Sequence, residues 1–245
     1  MPEYRLPVMN SVVQMPPHRA AAKVPSGLKM AKTAEDRADI YIYGLIGNDW
    51  YGDGTSAKSF ADQLKGLGKN IRTIDLRINS EGGDVFAGRS MYTLLTQHQA
   101  KVITHVDGFA CSAASFVAMA GNEIEIAEGG FMMIHNAWTW ARGGAEDLRR
   151  SATLLDSINV TLCDTYVART GRSAAEIKKW MDDETWMNGK ECVERSFADR
   201  IVENLKVAAS VQDPSKFKNI PTALMPRRIA AAKAMAEIKK AAIRR

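Results

Sequence analysis

Cysteine is scarce in this sequence: Cys111, Cys163 and Cys192 are the only three in 245 residues. An odd number without metal-ligand spacing argues against a disulfide framework and against a cysteine-based zinc site, so a reducing compartment is the default. Long apolar runs are also missing. A stretch such as Ala113 to Ala120 falls far short of the ~20 residues that a membrane-spanning helix needs. The N-terminus lacks the charged-then-apolar pattern of a secretory signal. A soluble, cytoplasmic protein without membrane association is expected. Proline is absent from the whole middle of the chain. All eight lie outside residues 26–213, at Pro2, Pro7, Pro16, Pro17, Pro25, Pro214, Pro221 and Pro226. Because proline interrupts helices and sheet ladders, the gap marks one compact unit.

What is present is ordinary globular material, with 46% apolar and 25% charged residues, which excludes a wholly disordered chain or a fibrous repeat. Charge is unevenly placed. Residues 1–32 carry five bases and one acid, residues 226–245 carry seven bases and one acid, and the intervening 33–225 carry 21 bases and 26 acids. The body is therefore −5 and the two ends together +10. The expected organisation is a basic, proline-rich N-terminal extension over 1–35, one domain over 36–210, and a basic C-terminal extension over 211–245. In that last segment Ile229, Ala232, Met235 and Ile238 fall roughly on one helical face, suited to an acidic partner or nucleic acid as well as to a solvated tail.

Within the domain, Ala38 to Tyr43 alternates and reads as a strand, and Thr55 to Leu67 has apolar residues at helical spacing. Ile71–Ile78 reads as a second strand, Asn79–Gly83 as a breaker, Val85–Gln97 as a helix and Val102–Val106 as a third strand. Small residues from Ala110 to Ala120 suggest a tightly packed helix. Short strands follow at Glu123–Ala127 and Phe131–Ile134, then a long helix from about Ala145 to Val167 with Leu148, Leu155, Ile158 and Leu162 on one stripe. Alternating strands and helices predict an α/β fold.

Strand-to-helix junctions are the places to look for chemistry, because free N–H groups at a helix start bind anions. Two stand out. Ile78-Asn79-Ser80-Glu81-Gly82-Gly83-Asp84 has paired glycines that let a ligand approach the backbone, although such pairs also make plain turns. Asp107-Gly108-Phe109-Ala110-Cys111-Ser112-Ala113-Ala114-Ser115 sets a serine among residues too small to crowd it, although a serine there also serves as an N-cap. A hydroxyl becomes a useful nucleophile only beside a base and near donors for the oxyanion. Of the four histidines, His18 lies in the proline-rich extension, His98 ends a helix and His105 sits within a strand. His135 ends an apolar strand, opens a loop, and follows Ser112 by 23 residues. An acidic partner could come from Asp182-Asp183-Glu184, a run that reads equally as a solvated face.

Taken in order, these segments resemble the Clp-type serine peptidases, and particularly the Clp-like head maturation (prohead) proteases encoded beside phage capsid genes, over about residues 38–203. Ile78-Asn79-Ser80-Glu81-Gly82-Gly83 resembles the family's Asn-Ser-x-Gly-Gly turn. Gly108 to Ser115 resembles its Gly-x-Ala-x-Ser element, and Met133-Ile134-His135-Asn136 its Met-Ile-His element. Glu184 to Cys192 resembles the stretch leading into the last helix, and Phe197-Ala198-Asp199 the closing Gly-Leu-x-Asp. The resemblance implies a Clp protease/crotonase-like α/β fold in a single domain. It implies Ser112 as nucleophile, His135 as base, and the backbone N–H groups of Gly83 and Ala113 as oxyanion hole, with Ser115 one helical turn further in. Counting back from Trp186-Met187-Asn188-Gly189, the position usually held by aspartate falls on Glu184, with Asp183 and Asp182 as alternatives. It implies no metal and no organic cofactor.

Housekeeping members use a short apolar N-terminal segment to meet an unfolding ATPase. Here about 35 basic, proline-rich residues stand in its place, so an ATP-independent endopeptidase is expected. The resemblance further implies a homo-oligomeric ring, a capsid or scaffold protein as substrate, DNA or another acidic partner for the basic tails, and a setting in the bacterial host cell and its viral prohead. Four alternatives stand beside it. A general degradative subunit would need an ATPase to digest folded substrates. A crotonase-like acyl-CoA enzyme would not need Ser112 and His135 in these two elements. A catalytically inactive scaffold component would not react with a serine-directed probe. A serine–lysine peptidase of the signal-peptide-peptidase type would leave His135 without a role.

Overall fold

The computed structural model describes residues 27–47, 54–202, 214–221 and 224–225. Its centre is one mixed sheet of eight strands: β1 (Gly27–Lys32), β2 (Arg37–Ile46), β3 (Thr73–Gly83), β4 (Lys101–Cys111), β5 (Glu123–Ala127), β6 (Phe131–Ile134), β7 (Thr185–Asn188) and β8 (Arg200–Val202). The main path runs β1-β2-β3-β4-β5-β8. Strand β1 is antiparallel to β2, and the remaining pairs on the path are parallel. Strand β6 pairs with the far end of β4, and β7 lies antiparallel on β6. The helices are α1 (Ala57–Gly66), α2 (Val85–Thr96), α3 (Ala113–Ala118), α4 (Ala145–Thr170), α5 (Ala174–Asp182) and α6 (Gly189–Glu194). This is a mixed α/β single domain consistent with the Clp protease fold.

Strand periodicity sorts the two faces of the sheet. Ile40 and Ile42, then Ile74, Leu76 and Ile78, then Val102 and Val106, then Ile124 and Ile126 are buried in one cluster with Phe60, Met91, Phe116 and Tyr166 from the helices. The alternate positions are mostly charged or polar. Parallel strands are usually apolar on both faces; here the second face is tied by ion pairs across neighbouring strands. Arg37 donates to Asp75, whose other neighbour is His105 Nε2 at 2.9 Å, and His105 Nδ1 lies 2.9 Å from Glu125. Burial pushes the Asp75 carboxyl up, but Arg37 and His105 outweigh it and hold the group below its ordinary range. Asp107, only 2% exposed, accepts from Tyr43 Oη at 2.6 Å and Arg77 Nε at 2.9 Å.

The elements differ from the expected ones in informative places. Strand β3 continues through the expected breaker to Gly83, because the β2–β3 register shifts between Tyr43 and Leu45 and lets Ile46 pair with Gly83. The expected helix from Ala110 begins only at Ala113, because Phe109, Ala110 and Cys111 are held in β4 by Phe131, Met132 and Met133. Only the C-terminal part of α4 is buried, through Leu162, Thr165, Tyr166 and Thr170, so Leu148 stands exposed at its start. Strand β1 forms within the residues read as an N-terminal extension. Similarly, Pro214–Lys216 forms a 3-10 turn within those read as a C-terminal one. The helical face from Ile229 to Ile238 lies outside the described residues.

Asp107→Ala should destabilise the fold by about 2–4 kcal/mol, since it strands a half-buried guanidinium and a tyrosine hydroxyl. Urea denaturation of wild type and variant checks this; a change within experimental scatter would show the charged face to be energetically idle.

Candidate active site

Two strand pairings assemble the site. In the β4–β6 pair Cys111 lies opposite Met133, and the N–H of the next residue, Ser112, donates to Met133 O at 2.9 Å. In the β6–β7 pair Ile134 lies opposite Thr185, so the residues one step beyond, His135 and Glu184, come level with each other. Ser112 Oγ and His135 Nε2 are 2.8 Å apart, and His135 Nδ1 is 3.7 Å from Glu184 Oε2. Residues at three well-separated places in the chain are thus brought into one line.

Ser112 occupies a sharp strand-to-helix turn with φ 53° and ψ −125° and makes no side-chain cap hydrogen bond. Such backbone is costly for a residue with a Cβ, of order 1–3 kcal/mol. The turn frees Oγ from capping its own helix and leaves it to His135. Ser115 is fully buried and engaged: its hydroxyl donates to Ser112 O at 2.7 Å and lies 2.8 Å from Tyr166 Oη. That leaves Ser112 as the hydroxyl beside the imidazole.

The turn at the end of β3 lies against this elbow. Ser80 is buried, donates to Gly44 O and accepts the Gly82 N–H at 3.0 Å. Gly82, at φ 90°, is so close that a Cβ there would sit 2.4 Å from Cys111 O, 2.8 Å from Ser112 Cβ and 2.9 Å from Ala113 N. Gly83 and Ala113 therefore begin two adjacent walls of a cleft of about 890 Å³, which Ser112 and His135 also line. Trp138, Trp140, Leu154 and Ile158 extend it along the start of α4, and Lys216 and Phe217 close its other side.

The acidic run separates by environment. Asp182 accepts from Lys178 at 2.6 Å and from Asn136 Nδ2 at 2.8 Å, and Asp183 pairs with Lys179 at 2.5 Å. Glu184 alone of the three is buried, at 5% exposure. Burial pushes its carboxyl up, but His135, the Asn219 main-chain amide and the Trp186 indole together hold it below the ordinary range. Asn219 and Phe217 were not singled out from the sequence, since they lie beyond the recognised motifs and no spacing ties them to the site. Cys111 and Cys192 are buried free thiols, pushed up by desolvation, Cys192 to about 12. Among the described residues no group of three His, Cys, Asp or Glu is placed to hold a metal ion, and no helix is long and apolar enough to cross a membrane.

A hydroxyl, an imidazole and a buried carboxylate in line at strand ends are the groups that chemistry of the serine-hydrolase kind requires. Comparison makes the class narrower. The family model described as Clp protease matches residues 21–205, and the chain belongs to that peptidase family. It is 30% identical over 166 residues, 66% of this chain and 82% of the relative, to an ATP-dependent Clp protease proteolytic subunit from Carsonella ruddii (strain PV).

Gly82→Ala should disturb the elbow directly, because the new Cβ meets main-chain atoms that cannot yield. A destabilisation of about 2 kcal/mol or more and slowed labelling of Ser112 by a serine-reactive fluorophosphonate are expected. Gly129→Ala, where a Cβ meets nothing within 4 Å, serves as the control. Equal labelling and stability in both variants would show that the close approach has no consequence.

Proposed function

We propose that the protein is a serine endopeptidase in which Ser112 is the nucleophile, His135 the general base and Glu184 the orienting acid. The observation that carries this reading is the 2.8 Å approach of Ser112 Oγ to His135 Nε2 at an uncapped, strained elbow opening into a cleft. Ser112 Oγ attacks the carbonyl carbon of the scissile bond while its proton passes to His135 Nε2. The Gly83 and Ala113 amides hold the oxyanion. Collapse of the tetrahedral adduct breaks the C–N bond, and His135 delivers the proton to the leaving amine. His135 then takes a proton from water, which attacks the acyl ester; the ester C–O bond breaks and His135 returns that proton to Ser112 Oγ. Glu184 keeps Nδ1–H pointed at itself and stabilises the imidazolium formed in each half-reaction.

On this reading the enzyme is ATP-independent, of the Clp-like phage type, and acts on capsid or scaffold protein during head assembly. Its support is the basic, proline-rich N-terminus, standing where housekeeping subunits carry an apolar segment, and two basic ends around an acidic body. A homo-oligomeric ring fits the exposed apolar residues Trp138, Trp140, Leu148, Leu154 and Val160 along α4 and the loop before it; Trp140 is 92% exposed. The competing reading, a degradative partner of an ATPase, takes its support from the similarity to a proteolytic subunit named as ATP-dependent. Cleavage of a folded capsid or scaffold protein without ATP or ATPase decides for the first; cleavage of short peptides and unfolded chains alone decides for the second.

Ser112→Ala and His135→Ala should each lower kcat on a short unstructured peptide by about 10³-fold or more, with the double variant little worse, because the pair acts as a unit. Glu184→Gln should cost about 10- to 10²-fold, and Asp182→Asn and Asp183→Asn little, as their carboxylates face lysines. Substantial activity in Ser112→Ala would remove the mechanism. Deleting residues 226–245, which lie outside the described residues, should preserve peptide cleavage but weaken binding to an acidic partner at low salt, with the difference shrinking as salt screens the contacts. Binding that is equal for both proteins at low salt would reduce the segment to a solvated tail.

A further inference from the structure

Residues 214–221 and 224–225 pack against the domain. Phe217, Ile220, Leu224 and Met225 are buried with Phe109, Cys111 and Met133 in an apolar cluster of their own, distinct from the main core. The Phe217 ring lies 6.3 Å from that of His135 and meets Trp186 edge-on at 5.3 Å. This seating brings Asn219 to the acidic run. Its main-chain N–H donates to Glu184 Oε1 at 2.7 Å, and its side-chain Nδ2 donates to the main-chain oxygen of Asp183 at 2.8 Å.

Both contacts answer a need created elsewhere. Asp183 caps the C-terminus of α5, where helix carbonyls lose their intrahelical partners. Glu184 follows with φ 48°, a left-handed conformation unfavourable for a residue with a Cβ. A glutamate also has one more rotatable bond than an aspartate, and so more orientations in which neither oxygen faces the imidazole. With Oε1 taken by the Asn219 amide, and by Trp186 Nε1 at 3.4 Å, Oε2 is the oxygen turned toward His135.

We propose that residues 214–221 form a strap that completes the active site, with Asn219 as the positioning residue that clamps the 183–184 junction and aims the Glu184 carboxylate at His135. The proposal rests on the reading of Glu184 as the orienting acid. The strap acts on turnover through that carboxylate, and Phe217 and Lys216 bound the cleft beside it.

The test uses the full chain with Asn219→Ala, which removes the side-chain grip on Asp183, and Asn219→Pro, which also removes the main-chain donor to Glu184. Each is made alone and in the Glu184→Gln background, with kcat, KM and the pH profile measured on a short unstructured peptide and folding checked by thermal unfolding. Asn219→Pro should lower kcat about tenfold and Asn219→Ala about threefold, with KM moving less than about twofold, the scale of one hydrogen bond to a charged group. Loss of the amide also removes a contact that favours the ionised carboxylate. The acid limb of kcat in Asn219→Pro should therefore move to higher pH. In the Glu184→Gln background both variants should change kcat by less than about twofold, because the group they act through is already gone. Undiminished kcat in both single variants, a rise in KM alone, or the full loss repeated in the Glu184→Gln background would overturn the strap's role while leaving the acid in place. An unimpaired Glu184→Gln protein would instead overturn the acid itself, and the strap with it.

Discussion

Strand β6 is four residues long, and its two pairings set the relation between the polar groups of the site. Through β4 it receives the Ser112 N–H and so fixes where the strand gives way to α3; through β7 it brings Glu184 level with His135. A slip of one residue in either ladder would turn every side chain of the slipped strand to the opposite face. The register is protected by burial: Met132, Met133 and Ile134 are fully buried, and Met187 across from them is too. The arrangement of Ser112, His135 and Glu184 is thus a by-product of ordinary strand packing.

The local cost of the site falls on two residues in unfavourable backbone, Ser112 and Glu184, and the surroundings of each show what sustains it. Ser112 is held by its N–H on Met133 O, by Ser115 on its own carbonyl and by the glycine-only approach of β3. Glu184 is held by the β7 pairing that begins one residue later and by Asn219. Strain of this kind persists only where neighbouring structure over-determines it. The charged face of the sheet contributes at a larger scale. Asp75 and Asp107 bridge neighbouring strands with arginine and histidine, so a sheet whose helices gather on its apolar face keeps its strands tied on the other.

Membership of the Clp protease family and the proposed role of Ser112 make the same demand on chemistry, an acyl transfer supported by backbone donors. In the proposed triad the acid is a glutamate, Glu184, and Asn219, beyond the matched residues 21–205, donates to it. The two features belong together physically, since a longer side chain needs another restraint to keep one oxygen in place.

Much of the frame was legible in the sequence. Alternation marks β2, helical spacing marks α1 and α4, and the ordered motifs around Gly82, Ser112 and His135 carry the family resemblance. Local pattern reports these because strand faces and helix stripes are near-neighbour properties of the chain. The capping box Ser173-x-x-Glu176 at the start of α5 is legible too. Other features exist only through distant partners. The continuation of β3 through its glycines depends on a register shift against β2, and the late start of α3 depends on β6 holding Cys111 in the sheet. The choice of Glu184 over Asp182 and Asp183 at the imidazole depends on which carboxylate the antiparallel β6–β7 pair carries inward, and the role of Asn219 on a buried phenylalanine two residues before it. The sequence by itself determined which residues were chemically equipped to act. The tertiary structure decided which of them meet, because register and burial are set by contacts between segments that no local spacing records.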